Sequence, residues 1–118
     1  MTDRKDIDFL KDIKKSTYLI ENYLIDVSRE QFYNNQEKQD AVINKLMVVI
    51  GEATKLLSDE IRNNYPSVSW KQMAGMRDIM IHRYHGIDLE IVWETANKDI
   101  QEVAKEIDII ISDLENKN

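Results

Sequence analysis

Both histidines of this 118-residue chain fall within nine residues, RDIMIHRYH, residues 77–85. The same stretch holds Arg77, Asp78, Arg83 and Tyr84. Imidazole has the unperturbed pKa nearest neutrality, so it can both accept and release a proton. Guanidinium supplies a permanent, bidentate cation suited to a phosphate whose charge grows in the transition state. A tyrosine beside them can stack on a base or hydrogen-bond a phosphate oxygen. That set can cleave RNA without a metal. A base withdraws the 2′-OH proton, an acid assists the 5′-oxygen, and a cation steadies the phosphorane. Taken singly, each residue also has a plainer role. Arg77 would pair with an acid on a neighbouring helix, His82 would sit well at a helix C-terminus, and Tyr84 would plug an amphipathic surface.

The elements that must carry this segment read as helices. Three apolar seams recur at alternating threes and fours, the spacing of helices packed along a bundle. The first is Leu10, Ile13, Thr17, Ile20, Leu24, Val27. The second is Val42, Leu46, Val49, Ala53, Leu56, widened by Ile43, Ile50 and Leu57. The third is Leu89, Trp93, Ala96, Ile100, Val103, Ile107, Ile110, Leu114. No strand-like alternation competes. Ser28 to Gln31 has the form of a capping box opening a short helix, and Ser69 to Gln72 is a second, with Val68 and Met73 spaced as a hydrophobic staple. Pro66 ends the second long helix, because proline disfavours helical geometry in the residue before it. Gly86 ends the third, and Asp88 is a good N-cap for the last, with Ile87 and Val92 placed to staple it. The expected fold is all-α: a single domain over residues 1–118, an up-down bundle of four main helices plus one short extra helix.

Placed on this frame, residues 77–85 occupy the last turns of the third main helix and the loop beyond. On an ideal helix Arg77 and His82 point about 140° apart, whereas Arg77 and Tyr84 lie nearly on one line. Asp78 and His82, four apart, are close enough for the carboxylate to orient the imidazole and favour its protonated form. One copy is a poor active site. Two copies across a two-fold axis could set an arginine of each beside a histidine of the other, so a homodimer with a shared cleft is expected.

Composition sets the boundaries. There is no cysteine, which removes disulfides and thiolate metal sites and is compatible with a reducing cytoplasm. The first residues, MTDRKDIDFLKDIKK, alternate charge with apolar side chains and lack a signal-peptide core, and the longest apolar run, residues 46–50, is too short to cross a bilayer. The net charge of −6 argues against indiscriminate binding of nucleic acid. All of that excess sits in residues 88–118, with nine acids against three lysines, while RDIMIHRYH is locally basic.

Residues 77–84 match the R-x-x-x-x-H-x-Y motif, and the chain resembles the HepT-like branch of the HEPN superfamily from Gln39 to Ile100. The segments IGEATKLL, YPSVSWKQMAGMRD and GIDLEIVWET carry most of that likeness. The resemblance implies a HEPN-like helical dimer that is a metal-independent endoribonuclease, needing no cofactor. It would be the toxin of a type VII-like toxin–antitoxin pair, with Arg77 and His82 as the catalytic pair. It also implies a minimal nucleotidyltransferase antitoxin as partner, which silences the toxin by transferring AMP to Tyr84 (AMPylation). Adenylylation would place bulk and negative charge in a cleft meant for RNA phosphates. Asp78, Arg83 and His85 would support the site, His85 from outside the motif as an RNA contact. Asp78 departs from the asparagine usual after the motif arginine; an ionised carboxylate can only accept hydrogen bonds and repels phosphate. Besides a purely structural bundle, which leaves the RDIMIHRYH cluster unexplained, two rival readings follow from the same residues. One is a catalytically silent dimer that binds a nucleotidyltransferase or a nucleotide. The other is a metal site formed by Asp78, His82 and His85.

Overall fold

Apolar stripes on separate helices must be buried against one another, and the first and last stripes do this along most of the molecule. A computed structural model describes residues 2–76, 78, 81, 82 and 86–116, with the backbone alone for residues 2–5, 47, 48, 81 and 82. About 81% of the chain is helical, so the fold is all-α as expected. Helix α1 (Thr2–Tyr23) is followed by the short α2 (Arg29–Tyr33). The second long helix is built from α3 (Gln36–Ile43), a π-helical segment (Asn44–Ile50) and α4 (Gly51–Leu56). Then come α5 (Asp59–Asn64) and α6 (Trp70–Ala74), and a two-residue antiparallel pairing of β1 (Ile81–His82) with β2 (Gly86–Ile87). The last helix comprises α7 (Leu89–Glu94), a π-helical segment (Thr95–Asp99) and α8 (Ile100–Glu115).

Helices α1 and α8 run antiparallel and are the principal packing pair. Lys11 meets Glu115 at 3.3 Å, and Lys14 meets Asp108 one turn and more away. These exposed ion pairs mark the register and contribute little stability. The stability comes from the first seam, where Leu10, Ile13 and Ile20 are fully buried, and from Ile100, Ile107 and Ile110 facing it. Thr17 belongs in this seam because its hydroxyl donates to the Lys14 carbonyl at 2.7 Å, which leaves its methyl to the core. The short α2 is fixed by the Ser28–Gln31 capping box and by Phe32, whose ring lies 5.4 Å from that of Trp93.

The second seam holds at Val42, Leu46 and Ala53, but its line shifts toward Ile50 and Leu57. Val42, Leu46 and Ile50 are fully buried and Leu57 nearly so, whereas Leu56 is 59% exposed. The π-helical segment explains the shift. It adds a residue to the turn, so the buried face steps by fours through 42, 46 and 50 instead of by threes and fours through 49 and 56.

Three boundaries also differ from expectation. The second long helix ends at Leu57, not at Tyr65–Pro66, because Leu57 is extended (ψ 146°) and Ser58 caps a new helix. The cause is distant in sequence. The buried Asp6 carboxylate accepts from the Ser58 amide at 2.9 Å and from its hydroxyl at 2.6 Å. Arg62 completes the corner, donating to the Thr54 and Lys55 carbonyls at the end of α4.

Ser69 is an N-cap by position, but its side chain makes no capping bond. Trp70 sets this corner instead, through its indole N–H to the Tyr65 carbonyl at 2.9 Å, while Val68 and Met73 are buried as a staple requires. The third main helix does not run to Gly86. After α6 comes a turn at Gly75, and His82 has extended backbone paired with Gly86. Glycine at the C-cap and the β-branched isoleucines of the 79–87 stretch weaken a helix there. At the start of α7, Asp88 caps as expected, accepting from Glu90 and Ile91. Val92 is buried but Ile87 is 36% exposed, which leaves that staple open.

Candidate functional site

The RDIMIHRYH segment follows directly on the buried Met76. Met73 and Met76 are buried, and the Asp78 amide donates to the Gly75 carbonyl at 2.9 Å, with Met76 and Asp78 both helical. Asp78 itself is exposed. The segment is followed by Gly86, whose φ of +83° is a left-handed conformation that L side chains rarely adopt. Asp88 then locks the chain into α7, anchored by the fully buried Val92. The described residues on either side of the candidate site are therefore held by core contacts.

Arg77, Arg83, Tyr84 and His85 lie outside the described residues, and His82 is described by its backbone alone. Because that backbone is extended, the helical spacing that placed Asp78 under His82 does not hold at His82. The expected angles among Arg77, His82 and Tyr84 fall outside the described residues, as does a metal set of Asp78, His82 and His85.

Beside the segment the surface is acidic. A cavity of about 110 Å³ lies between α6 and the last helix, lined by Ser69, Gln72, Met73 and Met76 on one side and Asp99, Glu102, Val103 and Glu106 on the other. An open groove of about 580 Å³ continues from Gln72 and Asp99 to Asp88, Glu90 and Glu94. Asp99, Glu102 and Glu106 share one helix face by their spacing of three and four. Burial raises the pKa of the Glu106 carboxyl above its ordinary value, and the neighbouring Glu102 charge adds to this. Among the described residues no three acidic or imidazole side chains are arranged to hold a metal ion. At the far end of α8, the Tyr65 hydroxyl donates to Asp113 at 2.7 Å. That bond raises the phenol pKa, with burial and the Asp113 charge adding to it.

The net acidity of the last helix was visible in the sequence; its lining of a cavity against α6 was not. The Asp6–Ser58 contact was missed altogether. Its one local trace is Ser58 followed by two acids, the pattern of a helix start. Among the described residues, no helix is long and apolar enough to cross a membrane.

Comparison with known proteins adds what the geometry leaves open. The profile of the Ribonuclease HepT-like family matches residues 13–110. A Methanocaldococcus jannaschii protein named "Putative RNase MJ0125" is 46% identical over 109 residues, covering 92% of this chain and 93% of its own. "Probable ribonuclease HepT" of Thermococcus cleftensis is 38% identical over 93 residues, 79% of this chain and 84% of its own. A Caldanaerobacter subterraneus protein named "Putative RNase TTE0752" is 37% identical over 99 residues, covering 84% and 87%. No solved structure gives a significant match. With a family profile spanning most of its length and relatives of this similarity, the chain belongs to the HepT-like ribonucleases, a family of enzymes.

Proposed function

We propose that residues 1–118 form one HepT-like domain that acts as the ribonuclease toxin of a toxin–antitoxin pair. It would cut RNA without a metal at a cleft shared by two copies. Family membership over residues 13–110 carries this reading, because that span encloses the whole R-x-x-x-x-H-x-Y motif. His82 moves the proton of the attacking 2′-OH, and Arg77 neutralises the charge building on the phosphorane. Tyr84 is the acceptor for AMP from a nucleotidyltransferase antitoxin. The resulting phosphodiester sets a negative charge where an RNA phosphate would sit. Cleavage is then blocked by occupancy and by repulsion together.

The acidic groove gives specific support to one form of a second reading, a silent dimer that binds a nucleotidyltransferase, and none to its other form, the binding of an anionic nucleotide. Asp88, Glu90, Glu94 and Asp99 repel RNA and suit a cationic protein surface instead. One experiment separates the two. Purified protein, freed of any modification, is incubated with total RNA beside its His82→Ala variant, with the dimer verified for both. The ribonuclease reading expects cleavage by the parent alone. Equal cleavage by His82→Ala removes His82 from the chemistry, and no cleavage by either leaves the binding module.

A further inference from the structure

We infer that Gly86 is a positioning residue for His82, acting through the left-handed turn that closes the motif segment. This rests on the assignment of His82 to the chemistry. Three observations converge on it. Gly86 has φ +83°, and it is the one residue of its type with positive φ among the described glycines. Its backbone pairs directly with that of His82, with Ile81 opposite Ile87 in the same ladder. A Cβ built on Gly86 would meet nothing within 4 Å.

The last observation decides how a substitution would act. An alanine at this position has room for its methyl group, so crowding cannot be the cause of any effect. What alanine lacks is easy access to the left-handed region. The strain must be relieved on one side of the turn or the other. Toward the C-terminus the chain is fixed, because Asp88 caps α7 through two amides and Val92 is fully buried behind it. Relief therefore falls on the other side, on the pairing with His82. A general base tolerates little displacement, since an error of about 1 Å in a reacting group can cost about a hundredfold in rate. Asparagine visits the left-handed region far more readily than other non-glycine residues and should restore the turn.

The test compares Gly86→Ala, Gly86→Asn and His82→Ala with the parent. One assay is steady-state cleavage of a labelled single-stranded RNA that the parent cuts. The other is the ring 1H–13C NMR signal of His82, assigned by its loss in His82→Ala. In Gly86→Ala, kcat should fall about ten- to hundredfold with KM within about threefold, and the ring signal should shift. Gly86→Asn should return both toward the parent values. If Gly86→Ala loses its helical circular dichroism, Gly86→Ser takes its place, with the order parent, Asn, Ser expected in both assays. Parent-like kcat and ring signal in a folded Ala or Ser variant would overturn the inference, as would failure of Asn to rescue. Normal cleavage by His82→Ala would instead remove the catalytic assignment on which the inference rests. The ring signal still reports the coupling of Gly86 to His82 in that case.

Discussion

Replacing Ser58 with alanine should destabilise the protein by about 3 kcal/mol, because one hydroxyl closes two contacts at once. It donates to the buried Asp6 carboxylate at 2.6 Å and accepts from the Ile61 amide at 3.3 Å to cap α5. A hydrogen bond to a charged group is worth about 1.5–3 kcal/mol, and removing an N-cap serine costs about 1 kcal/mol. Asp6 retains its second bond from the Ser58 amide at 2.9 Å, so the carboxylate is not stripped bare and the lower half of the summed range applies. In a protein of this size 1 kcal/mol corresponds to about 4 °C, which puts the expected fall in Tm at roughly 12 °C. Thermal and urea unfolding followed by circular dichroism would measure it. Ser58→Thr keeps the hydroxyl and should retain most of the stability. The same Ser58→Ala change made in an Asp6→Ala background should cost only the cap, about 1 kcal/mol. A loss below about 0.5 kcal/mol in the parent background, or equal losses in both backgrounds, would show that Asp6 and Ser58 are not energetically coupled.

Further outcomes follow from the same structure and from the proposed chemistry. Tyr84→Phe should stay unmodified when produced with a nucleotidyltransferase antitoxin and should remain toxic, as intact-mass spectrometry and growth curves would show; AMP found on that variant would place the acceptor elsewhere. Cleavage should persist in excess chelator, and its loss with recovery on adding a divalent cation would rule out the metal-independent reaction. Glu106→Gln should raise Tm at neutral pH. The folded-state pKa of Glu106 lies above its ordinary value, so the folded protein carries a penalty when this carboxyl is ionised. That penalty disappears as pH falls through the carboxylate range, and the advantage of glutamine should disappear with it; a gain that persists in acid would mean that charge is not its source.

How far the fold could be read depended on whether its causes were local. The Leu10–Leu24 stripe and the third seam were legible because each follows helical spacing and ends in the core. The Ser28 and Asp88 caps were legible because donor and acceptor lie within three residues. The break at Leu57 was not, since its cause, Asp6, lies 52 residues away. Nor was the exposure of Leu56, because a π-helical turn leaves no clear mark in apolar spacing. At Ser69 the pattern for a capping box is present, yet the Trp70 indole bond to Tyr65 sets the corner. The candidate site divides in the same way. The concentration of imidazole, guanidinium and phenol in nine residues marks the segment as the candidate. The extended backbone at His82 was not legible, because it depends on pairing with Gly86 beyond a break in the helix.

The π-helical segment at Asn44–Ile50 makes the distance from Gln36 to Ser58 a matched length rather than a flexible one. Deleting one residue there would let the turn revert to ordinary α geometry, and the faces on either side would stay nearly in register, because a π-helical turn holds one residue more than an α turn. Inserting one more residue has no such outlet and would swing everything after it by about 100°, turning Leu57 out of the core and Ser58 away from Asp6. A single deletion in this stretch should therefore be far better tolerated than an insertion, since the helix works as a gauge that already carries its one spare residue.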